Sequence, residues 1–202
     1  PLGCTATIIY QMYQEQGRVI DKKTAGLLCS AIISDTLLFR SPTCTPMDEQ
    51  AARALAGLAE IDIEKYAIEM FSVGSNLKDK SDKEIFYQDF KRFASGKLMI
   101  GVGQVTSLNG EELADLKPRM LRFMEQVKES SDVNMVFFML TNILTESTDL
   151  LCQGQGALQL AAKAFHQDIE ETVEQPEPVV SLPGVVSRKK QLIPELMLAE
   201  QE

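Results

Sequence analysis

A chain of 202 residues, 45 % hydrophobic and 24 % charged, can build one large core or two small ones, and this composition excludes disorder over most of its length. Its net charge of −9 argues against a general nucleic-acid binder, because such proteins gain affinity by neutralising phosphates; any phosphate chemistry must come from a local basic cluster. No apolar run approaches the roughly 18–20 residues that span a bilayer and no secretory leader is visible, so no membrane partner and a cytoplasmic location are expected.

The four cysteines, Cys4, Cys29, Cys44 and Cys152, form no CxxC pair and read as reduced, mostly buried thiols. The single histidine, His166, leaves a zinc site without paired ligands. The chain begins at Pro1 rather than Met, which points to a start further upstream or to trimming.

Thr5 or Thr7 caps a first predicted helix that carries Ile8, Ile9, Met12 and Tyr13 and stops at Gly17. Asp21 caps a second, with Ala25, Leu28, Cys29, Ile32 and Ile33 at helical spacing. A third starts at Thr45-Pro46 with Asp48 in its first turn, and a fourth runs from Asp62 to about Val73. The polar stretch Gly74 to Lys80 reads as a domain boundary, after which Ser81-Asp82-Lys83-Glu84 is a capping box. Strands are then expected at Phe90–Phe93, Leu98–Thr106, Val133–Leu140 and Thr148–Cys152. Helices are expected over Gly110–Lys128, kinked or started late at Pro118, and over Gln155–Phe165. An acidic run, Asp168 to Glu177, and a loop, Gln175 to Pro178, precede Ser187-Arg188-Lys189-Lys190 and a helical tail interrupted by Pro194. Strands and helices mix, so the class is α/β.

Four places could carry chemistry. Asp35 lies between Ala31-Ile32-Ile33 and Leu37-Leu38-Phe39, so it is expected in the interior, either closing a helix through local bonds or ligating a metal. The cations of Ser187-Arg188-Lys189-Lys190-Gln191 follow a Pro-Gly bend; they form either a solvated basic turn or an anion site at a helix start. Lys91 points to the strand face opposite Phe90 and Arg92 and reads, alone, as an ordinary surface lysine. The small-residue turn Leu2–Thr7 could hold phosphate or be only a cap. His166 reads as a helix-end residue, and the nine methionines as core filler.

Gly3-Cys4-Thr5-Ala6-Thr7, Ser34-Asp35-Thr36 with Phe39-Arg40-Ser41-Pro42-Thr43, Ile100-Gly101-Val102-Gly103-Gln104-Val105, Phe138–Ile143 and Val185-Val186-Ser187-Arg188-Lys189-Lys190-Gln191 occur in an order that resembles the family II inorganic pyrophosphatases of the DHH/DHHA2 phosphoesterase superfamily. The resemblance implies that residues 1–74 are the later part of a DHH domain, 75–80 a hinge, and 81–202 a DHHA2 domain with a mixed sheet flanked by helices. It implies pyrophosphate as substrate, held between the domains, Asp35 as a metal ligand, and Lys91, Arg188 and Lys189 as substrate ligands. Mn²⁺ is the implied cofactor, with Co²⁺ an alternative and Mg²⁺ accompanying substrate; a homodimer is implied as well. The family's His-Asp-x-His-Pro-like and Asp-His-His motifs are absent here, and Asp35 alone cannot retain two metals. An exopolyphosphatase of the same superfamily and a non-catalytic phosphate-binding fragment are the alternatives. A DHHA1-type phosphodiesterase would carry a Gly-Gly-His-like motif where Ser-Arg-Lys-Lys-Gln stands.

Overall fold

The computed structural model describes residues 1–74, 77, 79–96, 98–167 except 131, and 177–201. Part of the expected hinge (Ser75, Asn76, Lys78) and nearly all of the acidic run, 168–176, lie outside the described residues. The chain divides into two compact units, Pro1–Gly74 and Ser75–Glu202.

The first unit is all-helical: α1 (Thr5–Glu15), α2 (Lys22–Asp35), α3 (Pro46–Ala59) and α4 (Ile63–Gly74). Its helices begin where the side chains demand. Asp21 accepts from the Thr24 amide, and Thr45 with Asp48 forms a reciprocal capping box behind Pro46. The cap of α1 differs from expectation. Cys4, not a threonine, occupies the position, its sulfur accepting from the Ala6 amide, while Thr7 is drawn inside. Alanines and a cysteine (Ala25, Cys29, Ala51, Ala52) line the α2–α3 contact, so the backbones approach closely around buried Ile32, Ile33 and Leu55.

The second unit is a five-stranded sheet in the order β1 (Lys91–Ser95), β2 (Leu98–Ser107), β3 (Met135–Asn142), β4 (Ser147–Gln153), β5 (Val179–Pro183). Only β2 and β3 are parallel; the other three pairs are antiparallel. That parallel pair needs a crossover, and α6 (Gly110–Ser130) supplies it. Strand β3 is buried along nearly its whole length because its two faces feed two cores. Phe137 and Met139 pack with Ala161, Leu192 and Leu196, from α7 (Ala157–Ala164), a π-helical turn (Arg188–Leu192) and α8 (Ile193–Gln201). Val136, Phe138 and Leu140 pack with Phe86 of α5 (Asp82–Gln88) and with Leu116, Met120 and Met124 of α6. Helices therefore cover both faces of a mixed sheet, as the α/β reading requires.

Two prolines behave differently from expectation. Helix α6 continues through Pro118. Pro194 does not interrupt the tail but sits in the first turn of α8, where its missing N–H is tolerated. The turn before it widens to π geometry, which leaves room for the proline ring that an α-helical carbonyl four residues earlier would meet.

Candidate functional site

The hairpin and the π-helical turn place the Lys91 backbone and the Arg188 side chain beside one residue, Val102. Lys91 opens β1 opposite Val102 of β2 and is exposed. Arg188 opens the π-helical turn and donates from Nη1 to the carbonyls of Asp89, at 2.5 Å, and Val102, at 3.3 Å. Its Nη2 donates to Asp89 Oδ1 at 2.9 Å. Arg188 thus bonds the backbone two residues before Lys91 and that of the residue paired with it. Unlike a solvated basic turn, its side chain is buried, 5 % exposed as a residue, and its Nε has no partner. Lys189 and Lys190 are exposed. Ser187 caps the turn by accepting from the Lys190 amide.

A polar network fixes the loop carrying these cations. Gln191 Oε1 accepts from the amides of Val186 and Ser187, and its Nε2 donates to the Gly184 carbonyl. Gln104 Nε2 donates to the Val186 carbonyl at 3.0 Å and to Thr141 Oγ1 at 3.1 Å. Thr141 bonds Thr148, which donates to the Val185 carbonyl at 2.6 Å. Sequence reasoning did not assign Gln104, Thr141 and Thr148. Gln104 and Thr141 stood inside segments that carry the family resemblance, but nothing there gave them a role.

In the first unit, Asp35 is the last residue of α2 and is exposed, not interior; the buried position beside it is Thr36, which donates to the Ile32 carbonyl at 2.6 Å. The next three residues, Leu37, Leu38 and Phe39, all take left-handed backbone angles (φ 50, 52 and 67°). Such angles in residues with a Cβ cost about 1–2 kcal/mol each. Surrounding bonds enforce them: Leu38 N–H to Ile33 O at 2.9 Å and Ser41 N–H to Thr36 O at 2.8 Å. Strain of this kind concentrates at functional sites.

Asp35 faces the α1 cap. The Cys4 thiol is pushed up to about 11, by burial first and then by the nearby Asp35 carboxylate. The Leu2–Thr7 turn does not wait for a phosphate, because its anion is internal. Gly3 and Cys4 donate their amides, and Thr7 its hydroxyl at 2.6 Å, to the fully buried Asp48. Thr45 adds its amide and hydroxyl to the same carboxylate. Burial pushes that carboxyl upward, but bonds from Thr45, Thr7 and Gly3 outweigh it and hold the group at about 2. Asp48, seen in sequence only as a first-turn acid, is the polar hub of this unit.

The donor set does not make a manganese centre. Among the described residues no three of His, Cys, Asp and Glu converge, and Asp48 is already saturated by protein donors. Asp35 offers one oxygen-bearing ligand. His166 is exposed with φ 51° just past α7, at the helix end. All four cysteines are free thiols.

The DHHA2 domain family matches residues 68–199. The chain belongs to the DHHA2 family. Its match begins inside α4 of the helical unit and covers the whole sheet. Among curated relatives, a "Probable manganese-dependent inorganic pyrophosphatase" of Clostridium acetobutylicum is 45 % identical over 98 % of this chain. A "Cobalt-dependent inorganic pyrophosphatase" of Clostridium perfringens is 44 % identical over 97 % of it. A solved structure from Methanococcus jannaschii, assigned by name to the family II inorganic pyrophosphatases, superposes over the whole chain with a TM-score of 0.83 at 33 % identity. The DHHA2 chain spans 62 % of the first relative's length, 34 % of the second's and 66 % of that solved chain. Among the described residues no helix is long and apolar enough to cross a membrane.

Proposed function

We propose that the protein hydrolyses inorganic pyrophosphate to two orthophosphates, with Lys91, Arg188 and Lys189 holding a phosphoryl group and Asp35 contributing one metal ligand. The observation that carries the reading is the buried Arg188, bonded to the carbonyl of Val102, the residue whose backbone pairs with Lys91, in the unit that matches the DHHA2 family. Pyrophosphate is a dense anion. It needs several fixed cations, and a planar guanidinium suits paired phosphoryl oxygens while ammonium groups act as point charges. The relatives' names, manganese- and cobalt-dependent, support Mn²⁺ or Co²⁺ as the cofactor. Bound, such an ion would supply a nucleophilic hydroxide near neutral pH. Because no three potential metal ligands converge among the described residues, no step is assigned to residues other than Asp35 beyond holding the anion and offsetting charge on the leaving phosphate.

The same reading makes 1–74 the later part of a DHH domain, 75–80 a hinge and 81–202 the substrate-holding domain, in a cytoplasmic homodimer with no nucleic-acid or membrane partner. The test is orthophosphate release by the full-length protein with Mn²⁺, from pyrophosphate and from long polyphosphate in parallel. The expected result is release from pyrophosphate that falls sharply on Asp35→Ala. Release from polyphosphate alone, or release indifferent to Asp35→Ala, would overturn the assignment.

A further inference from the structure

Arg188 is enclosed, yet its guanidinium is not saturated. Its side chain is 6 % exposed, its Nε meets no acceptor, and the group that lies against it with access to solvent is the Asp89 carboxylate, 48 % exposed. Asp89 engages the guanidinium twice, through its carbonyl at Nη1 and through Oδ1 at Nη2. It also ends α5 two residues before Lys91, so its position is set by the same turn that presents that lysine. The Phe90 ring between them is pinned over bare Gly101, where an added Cβ would lie 2.5 Å from Phe90 Cζ. A buried cation must have a counter-ion, and here the protein provides its own.

We propose that Asp89 is a resident counter-ion that an incoming phosphoryl group displaces from Arg188. The inference rests on the reading that Arg188 holds phosphate. The exchange keeps the guanidinium neutralised throughout. The Asp89 carboxylate swings toward solvent, and phosphoryl oxygens take over Nη2 and the unpartnered Nε, a two-pronged donor edge that suits paired oxygens. The backbone bonds to Asp89 and Val102 hold the arginine in place meanwhile. A monoanion competes with Asp89 on nearly equal terms, whereas a phosphoanhydride, with more charge and more oxygens, wins. Asp89 is therefore a specificity-determining residue.

The experiment is calorimetric titration of the chain with imidodiphosphate, a non-hydrolysable pyrophosphate analogue, for wild type, Asp89→Asn, Arg188→Lys, Arg188→Gln and the Asp89→Asn/Arg188→Gln pair. Asparagine keeps an oxygen acceptor for Nη2 and removes the competing charge. Asp89→Asn should bind about three- to fivefold tighter, the range expected of a half-exposed charge pair. That gain should vanish in the Arg188→Gln background. Equal or weaker binding by Asp89→Asn, or the same gain with Arg188→Gln, overturns the proposal. Weaker binding by Arg188→Lys without any gain in Asp89→Asn overturns the counter-ion role alone. Binding indifferent to Arg188→Lys overturns the phosphate reading with it. Should Arg188→Gln fail to fold, the ¹⁵N resonance of Arg188 Nε in the wild type decides: it should shift on adding imidodiphosphate, and a resonance that stays fixed at saturation overturns the exchange.

Discussion

Asp48 shows how one side chain can organise a unit. Its carboxylate gathers three backbone amides and two hydroxyls from the starts of α1 and α3. Removing it leaves those buried donors unpaired, which typically costs about 1–3 kcal/mol for each donor that finds no other partner. Because the folded value is about 2 against the usual 3.8, the carboxylate's contribution is present above about pH 4 and lost as pH falls toward 2. Urea unfolding of wild type and Asp48→Asn should therefore show a stability gap that closes over that window; a gap independent of pH would contradict the account. Sequence placed Asp48 in a helix start and Asp35 in the interior. The structure keeps Asp48 at the helix start but buries it fully, and leaves Asp35 exposed. Flanking apolar residues report on the chain's neighbours, whereas burial depends on which helix face a position takes, and Asp35 falls at the open end of α2.

At the scale of elements, β2 is the beam on which the cations are mounted. Gly101 and Gly103 are bare because Phe90 and Phe138 lie over them, each within 2.5 Å of where a Cβ would stand. Gly101→Ala must displace Phe90, and with it the Asp89–Lys91 turn. We expect a loss of about 1–3 kcal/mol in stability together with weaker imidodiphosphate binding. Gly103→Ala meets Phe138 on the same face and should lower stability with a smaller effect on binding. Equal binding losses in both would contradict this division. Gln104→Leu removes the donor to the Val186 carbonyl; hydrogen exchange at the Val186 and Ser187 amides should quicken while the β2–β3 ladder stays protected. Strands β1 to β4 were legible, because apolar runs and a Ser-Gly turn are local signals; β5 (Val179–Pro183), short and ending at a proline, was not. The π-helical turn was not, since it answers to Pro194 and to the buried guanidinium at once.

For the whole molecule, the α/β class followed from the mixture of strands and helices, and the proposed site residues Lys91, Arg188 and Lys189 from the order of the motifs, but their partners did not. The sequence puts Asp89 and Arg188 ninety-nine positions apart, and only the pairing of β1 with β2 beside the π-helical turn makes them neighbours. The claim beneath the whole account is that this turn and hairpin hold a phosphoanhydride. Lys189 tests it most cleanly, being exposed and engaged in no described packing that its loss would disturb. The measurement is the dissociation constant of imidodiphosphate for wild type and Lys189→Ala, each at low and moderate salt. The account predicts roughly tenfold weaker binding by the variant, the worth of one charge-assisted contact, and a shallower salt dependence. Equal affinities at both salt concentrations would contradict it.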